Sequence, residues 1–220
     1  MKKVRLALIG PGDVKFHYLK LLGFEEKRLM SELEQIALSI AKSGAEIELL
    51  PDDGVCIEIA RRYKKNGGKK VIGTVPKSDK TFGTKHLESY MNEKADGKPL
   101  FDEIIDSGDW FRQDMLKGLF GDAMLYLGSS PGADGEMSYA VYLYKLLAGF
   151  KKGIEVSGRS LHPEIRAGKD YTLFVYSPFL FYKKLTPEED VYAKKFGIKV
   201  IYVHNPKELR DKLKEFSKRR

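Results

Sequence analysis

The chain has 220 residues, 42% of them hydrophobic and 11% aromatic, enough to fill one sizeable core, so residues 1–220 read as a single domain. No stretch approaches the roughly 18 consecutive apolar residues of a membrane span, and the short apolar run after Met1-Lys2-Lys3 lacks a signal-peptide pattern; no membrane partner and a cytoplasmic location are expected. The net charge of +8 invites a nucleic-acid partner, but the charges are spread along the chain and Asn and Gln are scarce, which reads instead as a thermophilic, ion-pair-rich surface.

Taken in chain order, short β-rich runs alternate with helical periodicity. Residues 4–9 form a strand and residues 25–43 a long amphipathic helix that stops at Gly44. A second strand over 45–50 leads to a helix over 55–65, closed by Asn66-Gly67-Gly68, and a third strand over 70–75 is stopped by Pro76. Residues 77–98 are polar and aperiodic and read as a loop. A helix over 109–120, a fourth strand over 123–127 and a helix over 135–148 follow. The Gly- and charge-rich segment 151–170 carries a short strand at 153–156; strands at 171–176 and 199–203 enclose a helix at 187–196, and a helix over 206–216 closes the pattern. Its basic end, residues 212–220, reads as a solvated face, and a nucleic-acid partner is not expected.

This alternation predicts an α/β, Rossmann-like doubly wound fold, a mostly parallel sheet with helices on both faces and right-handed crossovers. Ligands of such sheets bind beyond the carboxyl ends of the strands. Three loops lie there: Gly10-Pro11-Gly12-Asp13, Pro51-Asp52-Asp53-Gly54 and Gly128 to Gly135. In the last, Ser129, Ser130, Gly132 and Ala133 are small enough to bring backbone N–H groups close to an anion at a helix N-terminus. Glu136 follows in the expected first turn, where it serves either as an acid favoured by the helix dipole or as a reacting carboxylate.

Cys56 lies among apolar residues on a helix and reads as a buried, inert thiol; as the single cysteine it makes no internal disulfide. The four histidines have no ligand spacing, so no metal is expected. The stripe Tyr139, Tyr142, Tyr144 and Phe150 serves core or interface, and a homo-oligomer, most simply a two-fold dimer, is expected.

Together, Gly10-Pro11-Gly12, "NGGKKVIGTVP" at 66–76, "FRQDMLKGLFGDAMLYL" at 111–127 and "GSSPGADGE" resemble the LOG family, the lysine decarboxylase-like proteins of the Rossmann-like group that includes the DNA-processing protein A fold and molybdenum-cofactor carriers. The family's loop Pro-Gly-Gly-x-Gly-Thr-x-x-Glu falls on Gly128 to Glu136, with its last Gly on Gly132 and its Glu on Glu136; its upstream Arg falls near Arg112. The chain departs from the family at Gly128-Ser129-Ser130, at Ala133 in place of Thr, and at Leu49 to Cys56, which keeps only one glycine, Gly54, of the family's earlier Gly-Gly-Gly-x-x-Gly-Leu-Met.

The resemblance implies hydrolysis of the N-glycosidic bond of a nucleoside 5'-monophosphate. Glu136 would stabilise a ribosyl cation, Arg112 would contact base or phosphate, and Gly10, Pro11, Gly12, Gly54 and the 128–133 loop would hold the nucleotide. No cofactor is implied, and no lysine stands in a pyridoxal phosphate context that would support true decarboxylation. The altered glycines leave a second reading open, a non-catalytic nucleotide or cofactor carrier of the same fold.

Overall fold

The computed structural model describes residues 3–150 and 162–219. Its elements are β1 (Arg5–Ile9), a wide helical segment (Lys15–Leu21), α1 (Glu26–Ser43), β2 (Glu46–Leu49), α2 (Val55–Lys65), β3 (Val71–Val75), α3 (Glu88–Met91), β4 (Lys94–Ala95) and β5 (Lys98–Pro99). They continue with β6 (Glu103–Asp106), α4 (Trp110–Leu116), β7 (Ala123–Tyr126), α5 (Pro131–Phe150), β8 (Thr172–Tyr176), α6 (Pro187–Lys195), β9 (Lys199–Val203) and α7 (Pro206–Lys218). Residues 153–156, expected as a strand, lie outside the described residues, as does the side chain of Phe150.

Among the described residues seven strands form one parallel sheet in the order β6-β3-β2-β1-β7-β8-β9. Both faces are covered, so the inner strands β1, β2, β3, β7 and β8 are buried along their whole length. Alternate side chains then feed two cores. Leu6, Leu8, Ile47, Leu125 and Phe174 meet Leu29, Leu33, Ile36 and Ile40 of α1 together with α2 and α7, while Ile9, Met124, Leu173 and Val175 meet Met137, Ala140 and Tyr144 of α5. Spacings of three and four residues place the α1 side chains in one stripe.

The order reverses between β1 and β7: β2 and β3 extend the sheet on one side of β1, while β7, β8 and β9 extend it on the other. This switch point opens a crevice at the carboxyl ends of β1 and β7, where diverging loops leave room for a ligand.

Several details differ from the sequence expectations. Helix α3, strand β6, the small β4–β5 hairpin and the wide helical segment Lys15–Leu21 lie where an aperiodic loop was expected or where no element was assigned. The hairpin turns on Asp96 and Gly97, both at positive φ, the conformation that Asp-Gly supplies. Helix α5 begins at Pro131, four residues before the expected start. Pro131 occupies the first helical position, where its fixed φ suits the helix, and the Ser130 Oγ accepts from the Ala133 N–H at 3.2 Å. Glu136 therefore stands in the second turn rather than the first.

Candidate functional site

The crevice holds a cavity of about 230 Å³ lined by Gly10, Gly12, Leu50, Asp52, Asp53, Cys56, Asp114, Lys117, Ser130, Gly132, Ala133 and Glu136. Across Gly12, Asp52 and Asp53 it adjoins a wider groove of about 780 Å³ that reaches Lys15, Glu26 and Glu58. Three loops that are distant in sequence thus meet at one edge of the sheet.

Backbone geometry explains the glycines. Gly54 is at φ 126°, and a Cβ there would stand 2.6 Å from the Pro11 carbonyl oxygen, so the first two loops close on each other with the Val55 N–H donating to that oxygen at 3.1 Å. Gly128 is at φ 140°, and a Cβ there would stand 2.8 Å from the His17 Nε2. The Tyr18 hydroxyl donates to the Leu127 carbonyl at 2.6 Å, fixing the chain as it leaves β7. Gly132 is different: a Cβ on it would meet nothing within 4 Å, so the first turn of α5 faces open space.

The two helix N-termini at the cavity are not equivalent. At α2 the chain's own carboxylates intervene, since Asp53 Oδ1 accepts from the Gly54 N–H and Asp52 Oδ1 from the Asp53 N–H, both at 2.8 Å. At α5, Asp134 is drawn aside by Tyr126 and by the Ser129 hydroxyl, which donates to it at 2.7 Å. The α5 terminus is the better-placed anion seat.

Glu136 and Lys117 form the charged centre. Lys117 Nζ donates to both carboxylate oxygens of Glu136 at 2.9 Å, and the two residues are only 4% and 8% exposed. Burial pushes the Glu136 carboxyl above its ordinary range, and the ammonium partly offsets that rise. Burial is the largest influence on the Lys117 ammonium and would lower it, but the charge and hydrogen bond of Glu136, together with the nearby Cys56 and Glu48, outweigh it and hold the ammonium above the usual lysine range. Burial likewise pushes the Cys56 thiol up to about 12, leaving it neutral beside the cavity. Among the described residues no group of three or more His, Cys, Asp or Glu is arranged to hold a metal ion.

The structure brings Gly10, Gly12, Ser130, Gly132, Ala133 and Glu136 to the cavity wall. Pro11, Gly54, Gly128 and Ser129 stand behind it, shaping the loops. Arg112 lies outside the lining, exposed in the first turn of α4 beside Gly108 and next to Phe111, which faces Phe82. Lys117 was not singled out from sequence, although a lysine inside the apolar run Leu116 to Phe120 is itself a signal of a buried partner. Of the aromatic stripe, Tyr144 is buried, whereas Tyr139 and Tyr142 are exposed.

Against known structures the whole chain aligns with several proteins of this architecture. The molybdenum cofactor binding protein of Rippkaea orientalis matches with a TM-score of 0.58 at 15% identity, covering 99% of each chain. The molybdenum cofactor carrier protein of Chlamydomonas reinhardtii matches with a TM-score of 0.54, again at 15% identity and 99% of each chain. The structural-genomics target TM1055 matches with a TM-score of 0.59 at 12% identity, over 97% of this chain and 99% of that one. At such identities the likeness shows a shared Rossmann-like fold. No family model and no curated protein matches the sequence. Among the described residues no helix is long and apolar enough to cross a membrane.

Proposed function

We propose that the protein binds a phosphorylated, nucleotide-like small molecule in the switch-point cavity and holds it rather than cleaving it. The observation that carries this reading is the Lys117–Glu136 pair: one ammonium donates to both carboxylate oxygens at 2.9 Å and neutralises the charge that a developing ribosyl cation would need. A phosphate would take the open first turn of α5 at Ser130, Gly132 and Ala133, with Lys117 supplying charge beneath it. Asp52 and Asp53 would face ribose hydroxyls or an amino-bearing ring. The ligand of the structural neighbours, the molybdenum cofactor, belongs with nucleoside monophosphates in the class to be tried.

Hydrolysis of a nucleoside 5'-monophosphate is the second reading. It is favoured by the presence of Glu136 in the cavity wall, and it requires substrate to draw Lys117 away from the carboxylate. Thermal shift with nucleoside mono-, di- and triphosphates and the molybdenum cofactor tests binding, because a ligand of the native state alone raises Tm. Assay of free base and ribose 5-phosphate separates the readings: binding without release supports the carrier, and turnover that falls by about 100-fold or more in Glu136→Gln supports the hydrolase. A chain that binds none of these ligands refutes both. A two-fold dimer through the exposed Tyr139 and Tyr142 is proposed alongside, with α6 contributing Tyr192, which lines one apolar hollow together with Tyr142.

A further inference from the structure

Beneath α4 the sheet carries a second carboxylate that the cavity does not expose. Glu48, in the middle of β2, is fully buried. Its Oε1 accepts from the Thr74 hydroxyl at 2.8 Å, and Thr74 Oγ1 in turn accepts from Gln113 Nε2 at 3.0 Å. Among the described residues its Oε2 has no hydrogen-bond partner, and neither has the buried Gln113 Oε1. Both orphan atoms are acceptors, so the small cluster is short of hydrogens, and buried acceptors left unpaired are costly. A carboxyl group can carry the missing hydrogen itself.

Gln113 and Lys117 are four residues apart and therefore share one face at the end of α4. The Thr74–Gln113 bond anchors that face to β3, one turn before Lys117 reaches Glu136. We propose that Glu48 is a positioning residue that holds a proton in the resting protein and so reserves Lys117 for Glu136, and that ionisation of Glu48 draws the ammonium toward itself and weakens anion binding in the cavity.

The groups that face Glu48 agree with a neutral resting state. Lys117 and Arg5 act on it as cations and Glu136 as an anion, with Tyr171 and Cys56 also within electrostatic reach. Lys117 is committed to Glu136 and Arg5 donates to Glu164 at 3.3 Å, so neither cation is dedicated to Glu48. Burial is the largest influence on the carboxyl and pushes it up to about 8, the cations and Thr74 only partly offsetting it.

This inference rests on the cavity being the anion site, but its first test needs no ligand. Infrared spectra of the native protein between pH 6 and 10 should show a buried protonated carboxyl band that fades near pH 8, is absent from Glu48→Gln, and persists to higher pH in Thr74→Val, which removes a hydrogen bond favouring the anion. Hydrogen exchange of the α4 amides, corrected for intrinsic rate, should accelerate with the loss of that band in wild type and stay level in Glu48→Gln. A Glu48 already ionised at pH 6, or α4 exchange indifferent to its ionisation, overturns the proposal. The second test uses AMP: its affinity should fall at least threefold from pH 7 to 9.5 in wild type and remain constant in Glu48→Gln. With the ligand-free results as expected, an AMP affinity that does not change with pH overturns the coupling to the cavity, whereas no AMP binding at any pH overturns the site reading on which it rests.

Discussion

Removing either half of the Lys117–Glu136 pair should be costly, and by unequal amounts at different pH. The pair is buried at the cavity wall, and among the described residues no other hydrogen bond reaches the Glu136 carboxylate. Deleting one partner of a buried ion pair leaves the other uncompensated, which costs about 3–5 kcal/mol. For a chain of this size, at roughly 2–4 °C per kcal/mol, Tm falls by roughly 6–20 °C. Glu136→Gln should lie at the gentle end, because the amide oxygen still accepts from Lys117. In Lys117→Met the carboxyl loses the charge that holds its pKa back, so its native value rises further above the unfolded one. A group of that kind favours folding below the unfolded pKa, and the contribution is lost as pH rises through the native pKa. Lys117→Met should therefore be less destabilised at pH 5 than at pH 8. The double variant Lys117→Met/Glu136→Leu should be more stable than the sum of the single losses predicts. Thermal or urea unfolding of the four proteins at both pH values supplies the cycle. Single losses below about 1 kcal/mol, or strictly additive ones, would show that the pair is solvated and would remove the observation behind the proposed function.

Three further outcomes are expected. Gly54→Ala should lose more than about 1 kcal/mol, since its φ of 126° and the Pro11 oxygen at 2.6 Å forbid the methyl, whereas Gly132→Ala should fold at least as well as wild type yet bind phosphate-bearing ligands more weakly; equal stability of the two would contradict the loop geometry. Cys56 should resist thiol reagents in the native state at pH 7 and react on unfolding, because its thiol is buried and pushed up to about 12; rapid native labelling would contradict this. Light scattering at tens of micromolar should give a dimer for wild type and a monomer for Tyr142→Asp/Tyr192→Asp, both residues being exposed aromatics on neighbouring helices; a monomeric wild type refutes that interface.

The alternation of strands and helices, and with it a parallel sheet whose loops gather at one edge, was legible in the residues alone. Period-two and period-3.6 patterns are local, so Ile47, Leu49 and the Leu29 to Ile40 stripe were legible without a fold. Short elements were less so. Strand β6 is a four-residue edge segment with Glu103 and Asp106 at its ends, and its apolar run is only Ile104-Ile105, too short to mark a strand. The Asp96-Gly97 turn was visible in composition, but its strands have two residues each. Gly, Pro and Asp after β7 read as loop, because propensity alone does not say that Ser130 caps and Pro131 leads the helix.

Which charges are buried, and with whom, follows from packing between distant segments. Glu46-Ile47-Glu48-Leu49 has the alternation of a strand with one wet face, yet β2 lies inside a sheet covered on both sides, so Glu48 is sealed with Thr74 and Gln113. Arg112 and Lys117 are equally basic in sequence. The turn of α4 points one to solvent and the other to Glu136, 19 residues onward. Such pairing depends on how α4 and α5 pack across the sheet, a long-range relation that no local pattern encodes.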